Sequence, residues 1–304
     1  MKSNVNLEPS GVLVIDKHAG ATSHDIVNKI RRLYKTKRVG HAGTLDPNAT
    51  GVLVVLVGRA AKASEYAHVS DKSYRATLKL GCVSDTEDIW GNCTPTGATI
   101  PEEDEVLSVC EGMIGKSMQT PPMYSAIKYN GKKLYELARD GITVERDARE
   151  IEVYSIKATK LSFDEYSVDC RVSKGTYIRT LCTEIGERCG CGAVMSSLER
   201  TDAGGFNISQ AYSIERISEL SYDELLSLLR PTEELFYEYP IVKLDGFFYK
   251  LCYSGCEIYQ KKIGTHYEVG QYVRLYSEDG FFALGRVYEY EGGSAIKSEK
   301  IFVL

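Results

Sequence analysis

The chain has 304 residues, 43% hydrophobic and 26% charged, with a net charge of −5, which is the balance of a water-soluble globular protein long enough for two domains. Its longest aliphatic run, Val52–Val57, falls far short of the roughly 20 residues a membrane-spanning helix needs, and the opening MKSNVNLEPS has no apolar export segment, so a cytoplasmic protein is expected. The acidic average hides a local excess: between Ile26 and Leu45 there are six cations (Lys29, Arg31, Arg32, Lys35, Lys37 and Arg38) and no acid.

In chain order, Val12–Ile15 reads as a short buried strand. Thr22 or Ser23 caps a helix in which Ile26, Val27, Ile30, Leu33 and Tyr34 recur at helical spacing, sending Arg31, Arg32 and Lys35 to solvent. The turn-rich GHAGTLDPNATG follows, then a strand over Val52–Val57. Ser73–Leu80 alternates, with Tyr74, Ala76, Leu78 and Leu80 on one face and Arg75, Thr77 and Lys79 on the other. Glu102–Met113 predicts an acidic exposed helix, Tyr129-Asn-Gly-Lys132 a turn, and the next residues a short helix ending at Gly141. Ile151–Phe163 and Tyr166–Val172 alternate and form a hairpin around Asp164-Glu165. Thr176 caps a helix with the buried stripe Ile178, Leu181, Cys182, Ile185 and Cys189, and spacing leaves Tyr177 and Arg179 off that stripe. Ser213–Leu229 reads as one helix. After a polar break the texture turns to short Tyr- and Gly-rich segments, so a first domain is expected over 1–237 and a small, mostly β domain over 238–304.

Nine scattered cysteines, an odd number, argue for reduced thiols rather than a disulfide frame. Cys189-Gly-Cys191 and Cys252-x3-Cys256 have no second pair and no well-placed histidines, so no metal site is expected. The segment RVGHAGTLDPNATGVL, residues 38–53, is less easily dismissed. Turn chemistry accounts for Asp46-Pro47-Asn48 but not for His41, Gly43, Thr44 or the basic run before them. Glycoside hydrolysis would use a carboxylate pair, and metal-assisted phosphoryl transfer would want several carboxylates with a phosphate-cradling loop; neither pattern is present. A single carboxylate can act as a nucleophile if a partner keeps it ionised and aimed. Arginine suits that role, since it stays charged and can offer a carboxylate two donors. The basic run leading into the loop points to RNA.

GHAGTLDPNATGVL resembles the catalytic motif of the TruB-type bacterial tRNA pseudouridine-55 synthases. GVLVIDKHAGATS at 11–23, SYRATLKLGCVSDTEDIWG at 73–91, TPPMYSAIKYNGKKLYELAR at 120–139 and VSKGTYIRTLCTEIG at 172–186 are similar to further family segments in order and spacing, so the likeness covers roughly 10–206. It implies an α+β fold: a catalytic domain around a mixed β-sheet, then a small, mostly β PUA-like RNA-binding domain. It also implies an isomerase that acts on the T-arm of tRNA as a monomer, without a protein partner or cofactor, and flips out its target uridine. Asp46 matches the catalytic aspartate, Arg179 the arginine paired with it, and Tyr74 a tyrosine that stacks on the base and assists proton removal at C5. Tyr177 and Leu198 match positions contacting the flipped nucleotide, His41 a histidine filling the space around it, and Lys17 a more structural lysine.

Two positions depart from the family pattern. His18 stands where proline is usual, which would loosen that turn, and Glu199 stands where arginine is usual, removing a positive charge near the RNA path. From residue 238 onward eight Lys and Arg face nine Asp and Glu, a weak basis for RNA binding by that region. Two rivals remain at this stage: the catalytic subunit of a guide-RNA-dependent pseudouridylation complex, and an RNA chaperone for which modification is incidental.

Overall fold

The computed structural model describes residues 8–67 and 71–303. These build one ten-stranded mixed sheet and, further along the chain, a separate five-stranded sheet. The larger sheet carries β1 (Gly11–Lys17), β2 (Val39–His41), β3 (Thr50–Val57), β4 (Lys72–Leu80), β5 (Gly115–Gln119), β6 (Arg149–Lys160), β7 (Glu165–Val172) and β8 (Ala193–Ala203). From one edge, the order is the short strand Tyr212–Ser213, then β1, β3, β8, β4, β7, β6 and β5; β2 pairs with β3, and Phe206–Asn207 pairs with β8. Most pairings are antiparallel. The two parallel ones are β1 with Tyr212–Ser213 and, at the centre, β3 with β8.

β3 is apolar throughout because both its faces are covered. Leu53, Val55 and Val57 join a large core with β1, β4, α1 (Ser23–Leu33) and α3 (Ile178–Arg188), while Val52, Val54 and Leu56 join a smaller cluster with Ala42, Ala60 and Phe206. α2 (Glu103–Glu111) is exposed except for Val106 and Cys110. Thr22 caps α1, and Asp25 returns a bond to the Thr22 backbone. The 129–132 turn closes a small hairpin with Asn130 and Gly131 at positive φ.

Four sequence expectations need correction. β8, the strand beside β3, was not foreseen: bulges at Met195/Ser197 and Arg200/Asp202 break its alternation, so no period-2 pattern survives. Ser213–Leu229 is two helices, Ile214–Ser218 and Tyr222–Ser227, because Ser221 and Glu224 form a capping box that restarts the helix. Thr176 does not cap α3; its hydroxyl donates to the Ser173 carbonyl, and Tyr177 takes the cap position without a side-chain bond. Arg31 does not face open solvent; it donates to Asn28 and to the Val39 carbonyl.

The smaller sheet orders Ile241–Lys243, Tyr272–Ser277, Gly280–Tyr290, Gly293–Ile301 and Ile258–Tyr259, with a helix, Gly246–Tyr253, that Asp245 caps. It docks on the segment after β3 through Ala63, Phe236, Leu284 and Phe302, the Tyr66–Tyr272 edge contact and a Lys300–Glu65 ion pair. Among the described residues no helix is long and apolar enough to cross a membrane.

Gly51 makes the central parallel pairing possible. It sits at φ +95°, and a Cβ there would lie 2.3 Å from the Arg200 carbonyl oxygen. Gly51→Ala should cost about 2 kcal/mol or more of unfolding free energy, since it adds backbone strain to a clash. Gly40→Ala, whose nearest neighbour would be 4.0 Å away, should stay within about 0.5 kcal/mol of the wild type. Urea denaturation of both variants checks this, and equal losses would refute it.

Candidate active site

Asp46 lies in the loop between β2 and β3, and almost every contact of that loop runs through its backbone. Lys17, fully buried at the end of β1, donates through Nζ to the carbonyls of Pro47 (3.0 Å), Ala21 (2.8 Å) and His18 (3.0 Å). Burial lowers its pKa to about 8, with Asp46 pulling the other way. Ser23, at the start of α1, accepts from the Leu45 amide and donates to the Leu45 carbonyl. The Gly20 amide also bonds the Pro47 carbonyl at 2.9 Å. From the opposite side the buried Arg200 donates to the carbonyls of Gly43 (3.1 Å), Thr44 (3.4 Å) and Val52 (2.7 Å). The Asp46 carboxylate, 43% exposed, is thus presented on a backbone held from below. The Lys17 bond to the His18 carbonyl holds the turn that the missing proline was expected to loosen.

Arg179, in the first turn of α3, is buried rather than exposed off the stripe. Its Nε lies 3.0 Å from Asp46 Oδ2. Its terminal nitrogens donate to the carbonyls of Thr86 (3.1 Å) and Tyr124 (2.7 Å), so the expected two-donor grip on one carboxylate is replaced by a fork spread over three partners. Asp88 Oδ2 lies 3.8 Å from Nη1, and its other oxygen accepts from the Thr86 hydroxyl and the Trp90 amide. Glu87, pushed up by burial, accepts from the Thr180 hydroxyl one residue along α3. The start of α3 is fixed once more by Gln119, whose buried amide exchanges two hydrogen bonds with the Tyr177 backbone.

Tyr74 on β4 is buried and stands opposite Arg200 in the β4–β8 ladder. Burial raises its pKa, while the Arg200 charge opposes the rise. Tyr177 is likewise raised by burial, against the charges of Arg149 and Arg179. The Asp46 charge acts on both tyrosines, which places all three groups in one electrostatic neighbourhood. Leu198 is buried in the same apolar cluster as Leu45 and Tyr74. His41 ends β2 opposite Val55, one element upstream of the loop. Glu199 stands beside Arg75 on an exposed face, 4.0 Å from it, where Arg75 also pairs with Asp169.

Arg200, Asp88 and Gln119 escaped the sequence reading, and Ser23 entered it only as a helix-cap candidate. No periodic apolar pattern marks a buried polar residue.

The clamp can be tested without reference to chemistry. Lys17→Met keeps the aliphatic stem but removes three hydrogen bonds to buried carbonyls, so unfolding free energy should fall by about 2–4 kcal/mol. Amide exchange at Leu45 should accelerate beyond that global loss. An unchanged stability would show that the lysine is not what holds the loop.

A family model described as TruB family pseudouridylate synthase (N terminal domain) matches residues 31–178, and one described as tRNA pseudouridylate synthase B C-terminal domain matches 179–237. The tRNA pseudouridine synthase B of Clostridium tetani is 40% identical over 280 residues, covering 91% of this chain and 95% of its own length. That of Alkaliphilus oremlandii is 41% identical over 285 residues (91% and 93%), and that of Clostridium perfringens 40% over 299 residues (97% and 99%). The backbone superposes on a chain of the crystal structure of a Cbf5-Nop10-Gar1 complex with TM-score 0.76 at 24% identity, covering 97% of this chain and 85% of that one. It also superposes on a chain of an H/ACA RNP bound to a substrate RNA containing 2′-deoxyuridine, with TM-score 0.73 at 22% identity (97% and 85%), and these two likenesses concern the fold. On its two family models and its identity to full-length relatives, the chain belongs to the TruB family of pseudouridylate synthases.

Proposed function

We propose that this pseudouridine synthase acts in the cytoplasm on tRNA, converting the uridine at position 55 of the T-loop to pseudouridine after flipping that nucleotide out onto Asp46. The observation that carries the reading is the exposed Asp46 carboxylate, paired with a buried arginine and set on a loop whose backbone is held by Lys17, Ser23 and Arg200. The relatives about 40% identical over nearly the whole chain, all tRNA pseudouridine synthase B, support tRNA as the substrate over a guide-RNA complex.

On this reading Asp46 assists cleavage of the N-glycosidic bond, either by attacking the ribose or by supporting loss of the base. The freed uracil turns and C5 bonds to C1′. The C5–H pair then reforms the C5–C6 double bond, the C6–N1 pair returns to N1, and N1 takes up a proton. Atoms balance within the substrate, so the chemistry requires no cofactor. Arg179 keeps Asp46 ionised and aimed, and Tyr74 and Tyr177 supply faces and hydroxyls for the extruded base. Extrusion costs a few kcal/mol, recovered by stacking and by contacts to the backbone.

The phosphate path is narrower than the run of six cations suggested. Arg31 is tied to the Val39 carbonyl, and Arg38 pairs with Glu8. Arg32, Lys35 and Lys37 remain exposed. Lys37 and Arg38, with Arg59 and Lys62, line a cleft of about 800 Å³ that has, among the described residues, no acidic side chain in its wall. It lies where the smaller sheet meets the catalytic half, and Tyr253, Ile301 and Val303 complete it.

Mapping pseudouridine in tRNA incubated with the purified protein tests the assignment, and a product at positions other than 55 would overturn it. Asp46→Asn should abolish product while tRNA affinity stays within a few-fold; turnover near wild type would remove Asp46 from its role. Arg179→Lys should recover little of what Arg179→Ala loses, because a point charge cannot serve one carboxylate and two carbonyls together. Full rescue by lysine would show that charge alone matters. Neutralising Arg32, Lys35 and Lys37 together should weaken tRNA binding and flatten its salt dependence by roughly 0.7–0.9 in slope per lost phosphate contact. Single-turnover rates at saturating enzyme should change far less. Unchanged affinity and slope would show that this face does not meet RNA.

A further inference from the structure

Among the described residues Arg200 is the largest fully buried side chain, 1% exposed, and no carboxylate lies within ion-pair distance of it. A guanidinium kept charged in the interior without an anion is expensive, and carbonyls relieve only part of that cost. Holding the loop carbonyls does not itself call for a charge, since a neutral amide could donate to them. The positive field is also felt nearby: together with burial it lowers Lys17 and Lys72, each to about 8. The fold therefore maintains a cation where a neutral donor would cost less. One group beside it can become negative. Tyr74 faces Arg200 directly across the β4–β8 ladder, and the Arg200 charge favours ionisation of its hydroxyl against the cost of burial.

We propose that Arg200 is a positioning residue for catalysis, the resident counter-cation of Tyr74, which stabilises negative charge on the Tyr74 hydroxyl oxygen as that oxygen takes the C5 proton. The proposal rests on the reading of Asp46 and Tyr74 given above. Arginine only donates, so a guanidinium placed across the ladder from Tyr74 can offer hydrogens to the phenol oxygen without competing for the hydroxyl hydrogen. To accept the proton from C5, the oxygen must release its own, and the released proton has N1 as its destination. The C5–H electron pair stays in the ring as the C5–C6 double bond. Tyr74 ends the cycle as it began, and Arg200 neither gains nor loses a proton. The same guanidinium grips Gly43 and Thr44, so the loop that aims Asp46 and the hydroxyl that handles the proton are registered on one rigid group. The charged or titratable groups acting on Tyr74 are Arg200 from β8, Cys170 from β7 and Asp46 from the loop; the last two oppose its ionisation.

The test incorporates fluorotyrosine at position 74 and follows its ionisation by fluorine NMR in the full-length chain, with Arg200 intact or replaced by Arg200→Gln or Arg200→Lys. Arg200→Gln should move the midpoint up by about one pH unit or more, and Arg200→Lys should restore part of the shift. Single-turnover pseudouridine formation in Arg200→Gln should fall about 100-fold, with tRNA affinity within a few-fold. In a Tyr74→Phe background the same substitution should add little further loss. A folded Arg200→Gln protein with an unchanged midpoint, or a loss fully additive with Tyr74→Phe, would overturn the proposal and leave Arg200 as loop support alone. Where Arg200→Gln does not fold, mono-, di- and trifluorotyrosine at position 74 beside the native Arg200 decide the matter: the rate should vary with the acidity of the phenol, and a flat series overturns the proposal. The NMR midpoint needs no turnover, so a wild-type protein that modified no tRNA would sink the functional reading while the coupling of Arg200 to Tyr74 was still measured.

Discussion

Cations buried beneath a loop must be satisfied by that loop, and the site follows from this constraint. Lys17 and Arg200 each end in donors only, so they bind oxygen atoms in their surroundings, and those are the backbone carbonyls at 18, 21 and 47 for the lysine and at 43, 44 and 52 for the arginine. The loop cannot relax without leaving a buried charge unpaired, which costs several kcal/mol. Its rigidity therefore does not depend on its own side chains. That frees Asp46 to face outward, and it lets small residues such as Gly40, Ala42 and Gly43 fill the positions beside it. Arg179 repeats the arrangement from the helix side, spending two donors on the carbonyls of Thr86 and Tyr124 and directing its remaining edge at the carboxylate.

What could be read in advance divides along the same line. Where burial is apolar and periodic, as in β3, β4, α1 and the buried stripe of α3, the pattern of residues predicts the element, and the structure agrees. Asp46 stood out in the sequence because turn chemistry leaves His41, Gly43 and Thr44 beside it without a reason. Arg179 was not legible from spacing: it shares the first turn of α3 with Ile178 and Thr180, which are also buried, so that turn is enclosed all round and no polar face exists there. Arg200 was hidden by bulges on both sides of it, which erase the alternation by which a strand is recognised. Buried polar residues are conspicuous in a structure and silent in a pattern, because a hydrophobic period counts them as exposed.

Electrostatics explain how an acidic chain presents a basic approach. The acids cluster on other surfaces, such as the first turn of α2 and the Asp169–Arg75–Glu199 row on the exposed face of the sheet, where they neutralise a cation of their own. Among the described residues, only Arg38 in the cleft beside Lys37 and Lys62 is paired with an acid, Glu8, and no acid stands in the wall itself. Net charge is a sum over surfaces that a polyanion never visits together, and within about 10 Å at moderate salt it is the local wall that matters. Glu199, which replaces the arginine expected at its position, stands in that neutralised row, so its negative charge is already answered by Arg75.

The placing of β8 against β3 has a further consequence. The bonds from Arg200 to Val52, Thr44 and Gly43 span 148, 156 and 157 residues of chain. Contacts that distant close late, because the loop entropy they cost must be met before they give anything back. A ribosome releases the Asp46 segment long before residue 200 exists, and until β8 slides in between β3 and β4 the carboxylate has neither a clamped loop nor a registered tyrosine. The aspartate is made early and the site late. An incomplete chain therefore carries the basic helix, and some attraction for RNA, without the means to act on it.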